Sequence, residues 1–159
     1  MKKWWLFFLT IIMVGCSNKD EDIDLFSEEQ AVPYEVIVHQ EKIAPILESM
    51  VPYIAFAETE GQLKELSGRF HLEAPIDMTT SSAVFLGTYS DSCGIAIDGV
   101  YDNDGILSVQ LGLPEGVDKA TACDTKGIPH TFLLEVDKKD YKKVQLFNGV
   151  IIKYTFEVR

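Results

Sequence analysis

The sequence lacks an apolar run long enough to remain in a membrane. Its longest such run, residues 4–14, is about half of the roughly 20 residues that a transmembrane helix needs. Basic residues are also scarce, with 14 lysines and arginines against 25 aspartates and glutamates. No cluster of basic and aromatic side chains offsets this charge, and an acidic surface repels phosphate backbones. The composition therefore excludes nucleic acid as an expected partner.

The common catalytic and cofactor-binding motifs are absent as well. The chain has no GxSxG elbow, no HExxH, no phosphate-binding glycine loop and no Rossmann fingerprint. The segment Asp102-Asn103-Asp104-Gly105 has its glycine too early for an EF-hand, so a hairpin turn explains it better. The histidines His39, His71 and His130 are isolated in sequence and are interpreted as surface or strand-edge residues. We expect no catalytic residues, no cofactor and no metal site, and hence a protein that is not an enzyme.

The N-terminus has the three parts of a secretory signal. Two lysines precede the apolar run, and the small residue Gly15 closes it. The segment Met13-Val14-Gly15-Cys16 resembles the lipobox of bacterial lipoproteins, in which Leu is more usual at the first position. The resemblance implies that residues 1–15 are a signal peptide and that Cys16 receives a diacylglyceryl group. An ordinary secreted protein with a free thiol at position 16 is the alternative.

A lipid on Cys16 would hold the protein on the outer side of a bacterial membrane, at the cell surface or in the periplasm. Burial of acyl chains contributes about 0.8 kcal/mol per methylene, and two chains anchor firmly where one does not. The expected partners are the membrane, through this lipid, and an envelope protein; the oligomeric state stays open. Cleavage leaves about 144 residues, enough for one domain, with 12 basic and 25 acidic residues.

Residues 16–32 are predicted to be a lipidated cysteine followed by an acidic, flexible tether. The stretch SNKDEDIDLFSEEQAV is rich in acidic residues and poor in apolar ones. Such segments bury too little surface to offset the entropy of ordering. The alternative is a short helix near residues 24–30 that docks on the domain. A single β-rich globular domain is predicted over residues 33–159.

Cys93 and Cys123 form an even pair once Cys16 carries lipid. Outside the reducing cytosol such a pair is more often a disulfide than a metal site or two free thiols. Zinc would need four ligands in close pairs, and neither cysteine has a CxxC partner. Buried free thiols, and a Cys93 nucleophile assisted by His130, remain as alternatives.

Short apolar runs separated by turn residues predict the fold. Thr59 and Gln62 form a capping box, and the apolar positions up to about Arg69 repeat at helical spacing. Asn148-Gly149 predicts a hairpin between the last two strands. Residues 42–50 are predicted as a short helix or a loop. The predicted strands are residues 34–39, 51–57, 82–89, 93–101, 106–113, 130–137, 143–147 and 150–158. The fold class is α+β, a mostly antiparallel β-sheet or sandwich with one main α-helix.

Three further segments carry a second resemblance. They are VPYIAFAETEGQLKELSGRF, PIDMTTSSAVFLGTYSDSCGIAIDGVYDNDGILSVQL and ACDTKGIPHTFLLEVDK. They resemble the C-terminal domain of the protease-complex PrcB family of uncharacterised secreted domains. Pro75-Ile76-Asp77-Met78 stands at the family's IDF step, Ile128-Pro129-His130-Thr131 at its final proline, and Ser92-Cys93-Gly94 replaces its glycine pair. The resemblance implies a non-enzymatic accessory or binding module.

The leading interpretation is therefore a lipid-anchored extracytoplasmic binding or interaction module, whose ligand the sequence does not identify. The first alternative is a cell-envelope hydrolase with a loop site around Ser90 to Gly94 and Asp124 to His130. The second is a purely structural lipoprotein. Asp77, Asp91, Asp98 and Asp124 are predicted to make loop hydrogen bonds in any of the three cases.

Overall fold

The computed structural model describes residues 26–43, 51–118, 120–148 and 151–158, without the side chains of residues 151 and 152. The predicted signal peptide, Cys16 and residues 44–50 lie outside this set. Within it, no helix is both long and apolar enough to cross a bilayer.

Eight strands and one α-helix make up the described part of the chain. The helix, α1, is Glu60–Phe70. The strands are β1 (Tyr34–Gln40), β2 (Tyr53–Ala57), β3 (Ser81–Ser90), β4 (Ala96–Asn103), β5 (Ile106–Gly112), β6 (Ile128–Asp137), β7 (Lys143–Asn148) and β8 (Ile151–Glu157).

The strands form two four-stranded sheets. Sheet 1 has the order β1-β6-β3-β2, and all of its pairs are antiparallel. Sheet 2 has the order β4-β5-β7-β8, in which β5 and β7 run parallel. These two strands can run in the same direction because β6, which lies between them in sequence, returns the chain through sheet 1. The predicted α+β class, mostly antiparallel with one helix, is confirmed.

The domain has three layers. Sheets 1 and 2 enclose the larger core, to which Leu86, Val109 and Leu134 belong. On the other face of sheet 1, α1 contributes its buried residues Leu63, Leu66 and Phe70 to a second core. Because β3 is covered on both faces, residues 81–88 are all buried.

The bounds of α1 follow from local capping. The Gln62 N–H donates to Oγ1 of Thr59 at 3.3 Å, and Gln62 Oε1 accepts from the Glu58 N–H at 2.9 Å. Such an N-cap contributes about 1 kcal/mol. His71 ends the helix in the left-handed conformation, with φ of 53°. The helix predicted from the capping box is confirmed, and it ends one residue beyond Arg69.

Two hairpins were predicted from short turn signals. Asp104 and Gly105 have φ of 54° and 82°, as the turn between β4 and β5 requires, and the Gly105 N–H donates to the Asp102 carboxylate at 3.0 Å. The turn interpretation of this segment is confirmed. β7 and β8 pair antiparallel, as the Asn148-Gly149 signal predicts, although Gly149 itself lies outside the described residues.

The domain begins before residue 33. Phe26 stacks on Tyr101, with 4.5 Å between ring centroids and 8° between ring planes. Residues 28–30 form a 3₁₀ turn, and Val32 is 5% exposed. The prediction of a flexible tether up to residue 32 is therefore wrong for residues 26–32, because Phe26 and Val32 bury apolar surface within an otherwise acidic stretch. The alternative, a short helix docked on the domain, describes these residues better.

Candidate functional site at the end of sheet 1

Sheet 1 brings together three polar side chains that are far apart in sequence. β1, β6 and β3 are neighbours in that order. In β6, Phe132 faces the core between the sheets, so His130, two residues earlier, lies on the same face. His39 of β1 is opposite Phe132, and Ser90 of β3 is opposite Ile128. Both side chains are therefore diagonal neighbours of His130.

A chain of hydrogen bonds joins these three side chains. Ser90 Oγ is 2.8 Å from His130 Nε2, and His130 Nδ1 is 3.0 Å from His39 Nε2. The His39 ring also lies on Phe132, with 4.0 Å between centroids and 9° between planes. His130 is 2% exposed and uses both ring nitrogens, so its orientation is fixed from two sides.

When both histidines are neutral, a single proton lies between His130 Nδ1 and His39 Nε2, because a neutral histidine has one donor and one acceptor nitrogen. Two arrangements of the hydrogen bonds are then possible. In the first arrangement, His130 donates from Nδ1 to His39 and accepts the Ser90 hydroxyl proton at Nε2. In the second, His39 donates to His130, which donates from Nε2 to Ser90, and the Ser90 hydroxyl donates to the Asp91 carbonyl at 2.8 Å. That carbonyl also accepts from the Gly94 N–H at 3.2 Å, so both arrangements leave it paired.

The surroundings favour the neutral form of both histidines. Burial lowers the pKa of His130 and the adjacent His39 lowers it further, while the Glu41 carboxylate acts in the opposite direction. Partial burial likewise lowers the pKa of His39, again against the effect of Glu41. A neutral imidazole is the form that can accept a proton from a hydroxyl group.

A disulfide joins the loop after β3 to the loop before β6, next to the hydrogen-bonded side chains of Ser90 and His130. Cys93, after β3, and Cys123, before β6, are bonded to each other, with 5.5 Å between their Cα atoms. Beside them the Ser92 N–H donates to the Asp124 carbonyl at 3.0 Å, and the Asp124 N–H donates to Ser92 Oγ at 2.7 Å. The predicted cysteine pair is thus present as a disulfide, which leaves no free Cys93 thiol to act as a nucleophile.

The loop after β3 has a defined shape. Gly94 has φ of 84°, and a Cβ at this position would lie 3.2 Å from Cγ of Pro114. The Asp91 carboxylate accepts from the Cys93 N–H at 2.9 Å. Asp77 makes a similar turn elsewhere, accepting from the Thr79 N–H at 2.9 Å. The predicted loop hydrogen bonds are therefore confirmed for the carboxylates of Asp77 and Asp91, whereas Asp124 makes them through its main-chain N–H and carbonyl.

Two adjoining cavities lie beside the hydrogen-bonded side chains of Ser90, His130 and His39. Gly94 and Ile95 line both cavities. The larger has a volume of about 430 Å³ and the smaller about 280 Å³. We call the two together the strand-end cleft. Further lining residues are Ser90, Asp91, Asp98, Leu111 and Leu113 in the larger cavity and His39, Glu41 and His130 in the smaller.

The lining sets what the strand-end cleft can accommodate. The larger cavity is within the size range of small-molecule sites. The exposed Leu113 gives it apolar surface, next to the mostly buried Ile95 and Leu111, whereas Asp91 and Asp98 place carboxylates in its wall. An anionic ligand would therefore be repelled, and a neutral or cationic one with a short apolar part would be favoured.

One group of potential metal ligands occurs within the described residues. Asp91, Cys93 and Cys123 have ligand atoms within 4.8 Å of one another. The two sulfurs are joined in the disulfide, so the oxidised protein offers a single carboxylate at this point, fewer ligands than a structural metal site uses.

The sequence interpretation missed the pairing of two histidines. The strand-edge interpretation holds for His39, which is exposed on the edge strand β1, but is wrong for His130, which is 2% exposed in the inner strand β6. The two rings also bond to each other, although they are far apart in sequence. The third, His71, is an exposed helix cap. Ser90 and His130, both part of the loop site of the hydrolase alternative, are brought into contact. His39 could have been noticed only as a polar residue near the end of an apolar strand, because its contact depends on the order β1-β6-β3.

Comparison with protein-family models, curated proteins and solved structures found no match to this chain in any of the three. The resemblances to the lipobox and to the PrcB family stay predictions.

Proposed function

We propose that this protein is a lipid-anchored extracytoplasmic module that binds a small ligand in the strand-end cleft. The observation that carries the proposal is the pair of cavities sharing Gly94 and Ile95 beside a disulfide-bonded loop. A cleft bounded by a cross-linked loop is largely pre-formed, which lowers the entropy cost of binding. The ligand is neutral or cationic, because carboxylates line both cavities.

The anchor is supported by the Met13-Val14-Gly15-Cys16 segment, and the Cys93–Cys123 disulfide is compatible with an extracytoplasmic location. The described chain begins at Phe26, ten residues after Cys16. Ten residues span at most about 35 Å. An anchored domain would therefore work close to the membrane surface, where envelope components are its accessible ligands.

A titration followed by NMR tests ligand binding. The ¹⁵N-labelled mature chain would be mixed with small-molecule fractions of an envelope extract. We expect shifts at the amides of Gly94, Ile95 and Leu111, and no shifts along the exposed side of α1. Replacing the exposed Leu113 with Trp should fill the cleft and remove the shifts, whereas Lys64→Ala on α1 should keep them. Shifts confined to α1, or no shifts with any fraction, would contradict the proposal.

A second candidate function, a cell-envelope hydrolase, is favoured by one observation. Ser90 Oγ and His130 Nε2 are 2.8 Å apart, which is the contact that serine nucleophiles make with their base. Screening the chain against ester, peptide and glycan substrates tests this candidate. Activity that His130→Ala leaves unchanged would show that another site is responsible.

A further inference from the structure

Ser90, His130 and His39 stand in the order that nucleophilic catalysis requires. A hydroxyl contacts one nitrogen of an imidazole, and a third group contacts the other nitrogen. In serine hydrolases that third group holds the imidazole in the tautomer that can accept the hydroxyl proton. A neutral histidine can serve here, because its Nε2 accepts a hydrogen bond from His130 Nδ1–H.

We propose that Ser90 is a catalytic nucleophile, that His130 is its general base and His39 the positioning residue, and that the substrate is a carboxylic ester without negative charge. This inference rests on the hydrolase candidate, since it assigns the nucleophile and the substrate class of the same site. It also adds His39, which the loop site expected from the sequence did not include.

Access to Ser90 comes from the larger cavity. Ser90 is half-buried and lines this cavity, whereas His130 is buried behind it and lines the smaller one. A substrate in the larger cavity would therefore meet the hydroxyl group while the base stays shielded from water. In the first arrangement the Ser90 hydroxyl already donates to His130 Nε2, so the nucleophile is prepared without moving a heavy atom.

The walls of the cavity define the substrate class. Leu113, which is 39% exposed, offers contact to an acyl group of a few carbons in a volume of about 430 Å³, next to the mostly buried Ile95 and Leu111. The carboxylates of Asp91 and Asp98 disfavour a substrate that carries its own carboxylate or phosphate. An uncharged or cationic ester with a short acyl chain meets both conditions.

Hydrolysis of the ester proceeds in two stages, and in each stage a proton passes to His130 and leaves it again. Ser90 Oγ forms a bond to the carbonyl carbon of the ester as its proton passes to His130 Nε2. The bond from this carbon to the alcohol oxygen breaks, and His130 gives the proton to the leaving alcohol. Water then attacks the acyl group on Ser90 and gives a proton to His130. The carboxylic acid leaves as Ser90 Oγ takes that proton back.

Covalent labelling tests the nucleophile. The mature chain would be treated at pH 7.5 with an uncharged fluorophosphonate probe, which forms a bond to an activated serine oxygen and releases fluoride. We expect one adduct, mapped to Ser90 by peptide mass, and turnover of p-nitrophenyl butyrate. Ser90→Ala should abolish both, and His130→Gln should slow both by about 100-fold or more. Ser81→Ala, at the opposite end of the same strand, and His71→Asn should leave both unchanged.

The role of His39 in positioning His130 is tested by the pH dependence of turnover, which a purely structural role would leave unchanged. Because the adjacent His39 lowers the pKa of His130, His39→Gln should shift the acidic limb of the turnover-against-pH curve to higher pH. Circular dichroism would show that each variant is folded. An unshifted limb would overturn the role of His39.

The outcomes separate this inference from the hydrolase function. Ester turnover that persists in folded Ser90→Ala would overturn the inference and leave the hydrolase candidate in place. Absence of both labelling and turnover in the folded wild-type chain, with peptides and glycans also untouched, would overturn both. Labelling mapped to another serine would likewise contradict the assignment of Ser90.

Discussion

His39 and His130 are 91 positions apart in sequence, yet His39 Nε2 lies 3.0 Å from His130 Nδ1. The contact exists because β1 pairs with β6 and places His39 diagonally opposite His130. Through Ser90 it extends across a third strand and reaches the strand-end cleft. The candidate chemistry of this protein therefore depends on the strand order of sheet 1.

Acidification should destabilise the fold through the two histidines. Their pKa values are lower in the folded than in the unfolded chain, where histidine titrates near 6.5. The unfolded chain then binds more protons, so the free energy of unfolding falls as the pH drops below about 6.5. Urea denaturation at pH 7.5 and pH 5.0 measures this fall.

The double variant His39→Gln/His130→Gln should lose part of that pH dependence, and His71→Asn should retain it. If the free energy of unfolding depends on pH equally in the wild type and in the double variant, the two histidines do not have the lowered pKa values that the burial of His130 requires.

Reduction of the disulfide should loosen the end of sheet 1. Intact mass should rise by two hydrogen atoms on reduction if Cys93 and Cys123 are bonded in the purified chain. A cross-link between residues 30 positions apart contributes about 3 to 4 kcal/mol. The double variant Cys93→Ser/Cys123→Ser should lose about that much in urea denaturation, while Cys16→Ser should lose none. An unchanged mass would mean that the two thiols are free.

The second core should depend on the ring of Phe70. Phe70 is 2% exposed and its ring centroid is 5.2 Å from that of Phe85 in β3. Phe70→Ala should lower the free energy of unfolding by about 3 to 5 kcal/mol. Lys64→Ala, on the exposed side of α1, should change it by less than about 0.5 kcal/mol. A loss below about 1 kcal/mol for Phe70→Ala would contradict the packing of α1 on sheet 1.

The anchor has a direct chemical test. Metabolic labelling with a palmitate analogue should mark the wild-type protein in its bacterial host and should not mark Cys16→Ser, because the acyl chains are attached through that cysteine. Cys93→Ser serves as the matched control and should still be labelled. Labelling of Cys16→Ser, or of neither protein, would rule out the lipobox interpretation.

The sequence predicts those elements whose signals are local. The capping box at Thr59 gives the helix, and the Asp102-Asn103-Asp104-Gly105 segment gives a hairpin, because each signal concerns neighbours within four residues. The side chains of β8 alternate as a half-exposed antiparallel strand requires, since Tyr154 and Phe156 pack against the larger core and Lys153 is exposed.

The candidate site depends on contacts between distant segments, which local patterns do not encode. No signal in YEVIVH or in HTFLLEVD tells which strands are neighbours, so His39 and His130 read as unrelated residues. The parallel pairing of β5 with β7 is hidden for the same reason. Phe26 was assigned to the tether because composition averages over a segment, whereas one aromatic ring is enough to dock it on Tyr101.

The most direct measurement is the protonation state of His130 in the folded chain at pH 7. Long-range ¹H–¹⁵N correlation spectra of ¹⁵N-histidine protein distinguish the two neutral tautomers and the charged ring. We predict a neutral His130 with its proton on Nδ1, donated to His39, and with Nε2 accepting from Ser90. A proton on Nε2, or a charged ring, would contradict it.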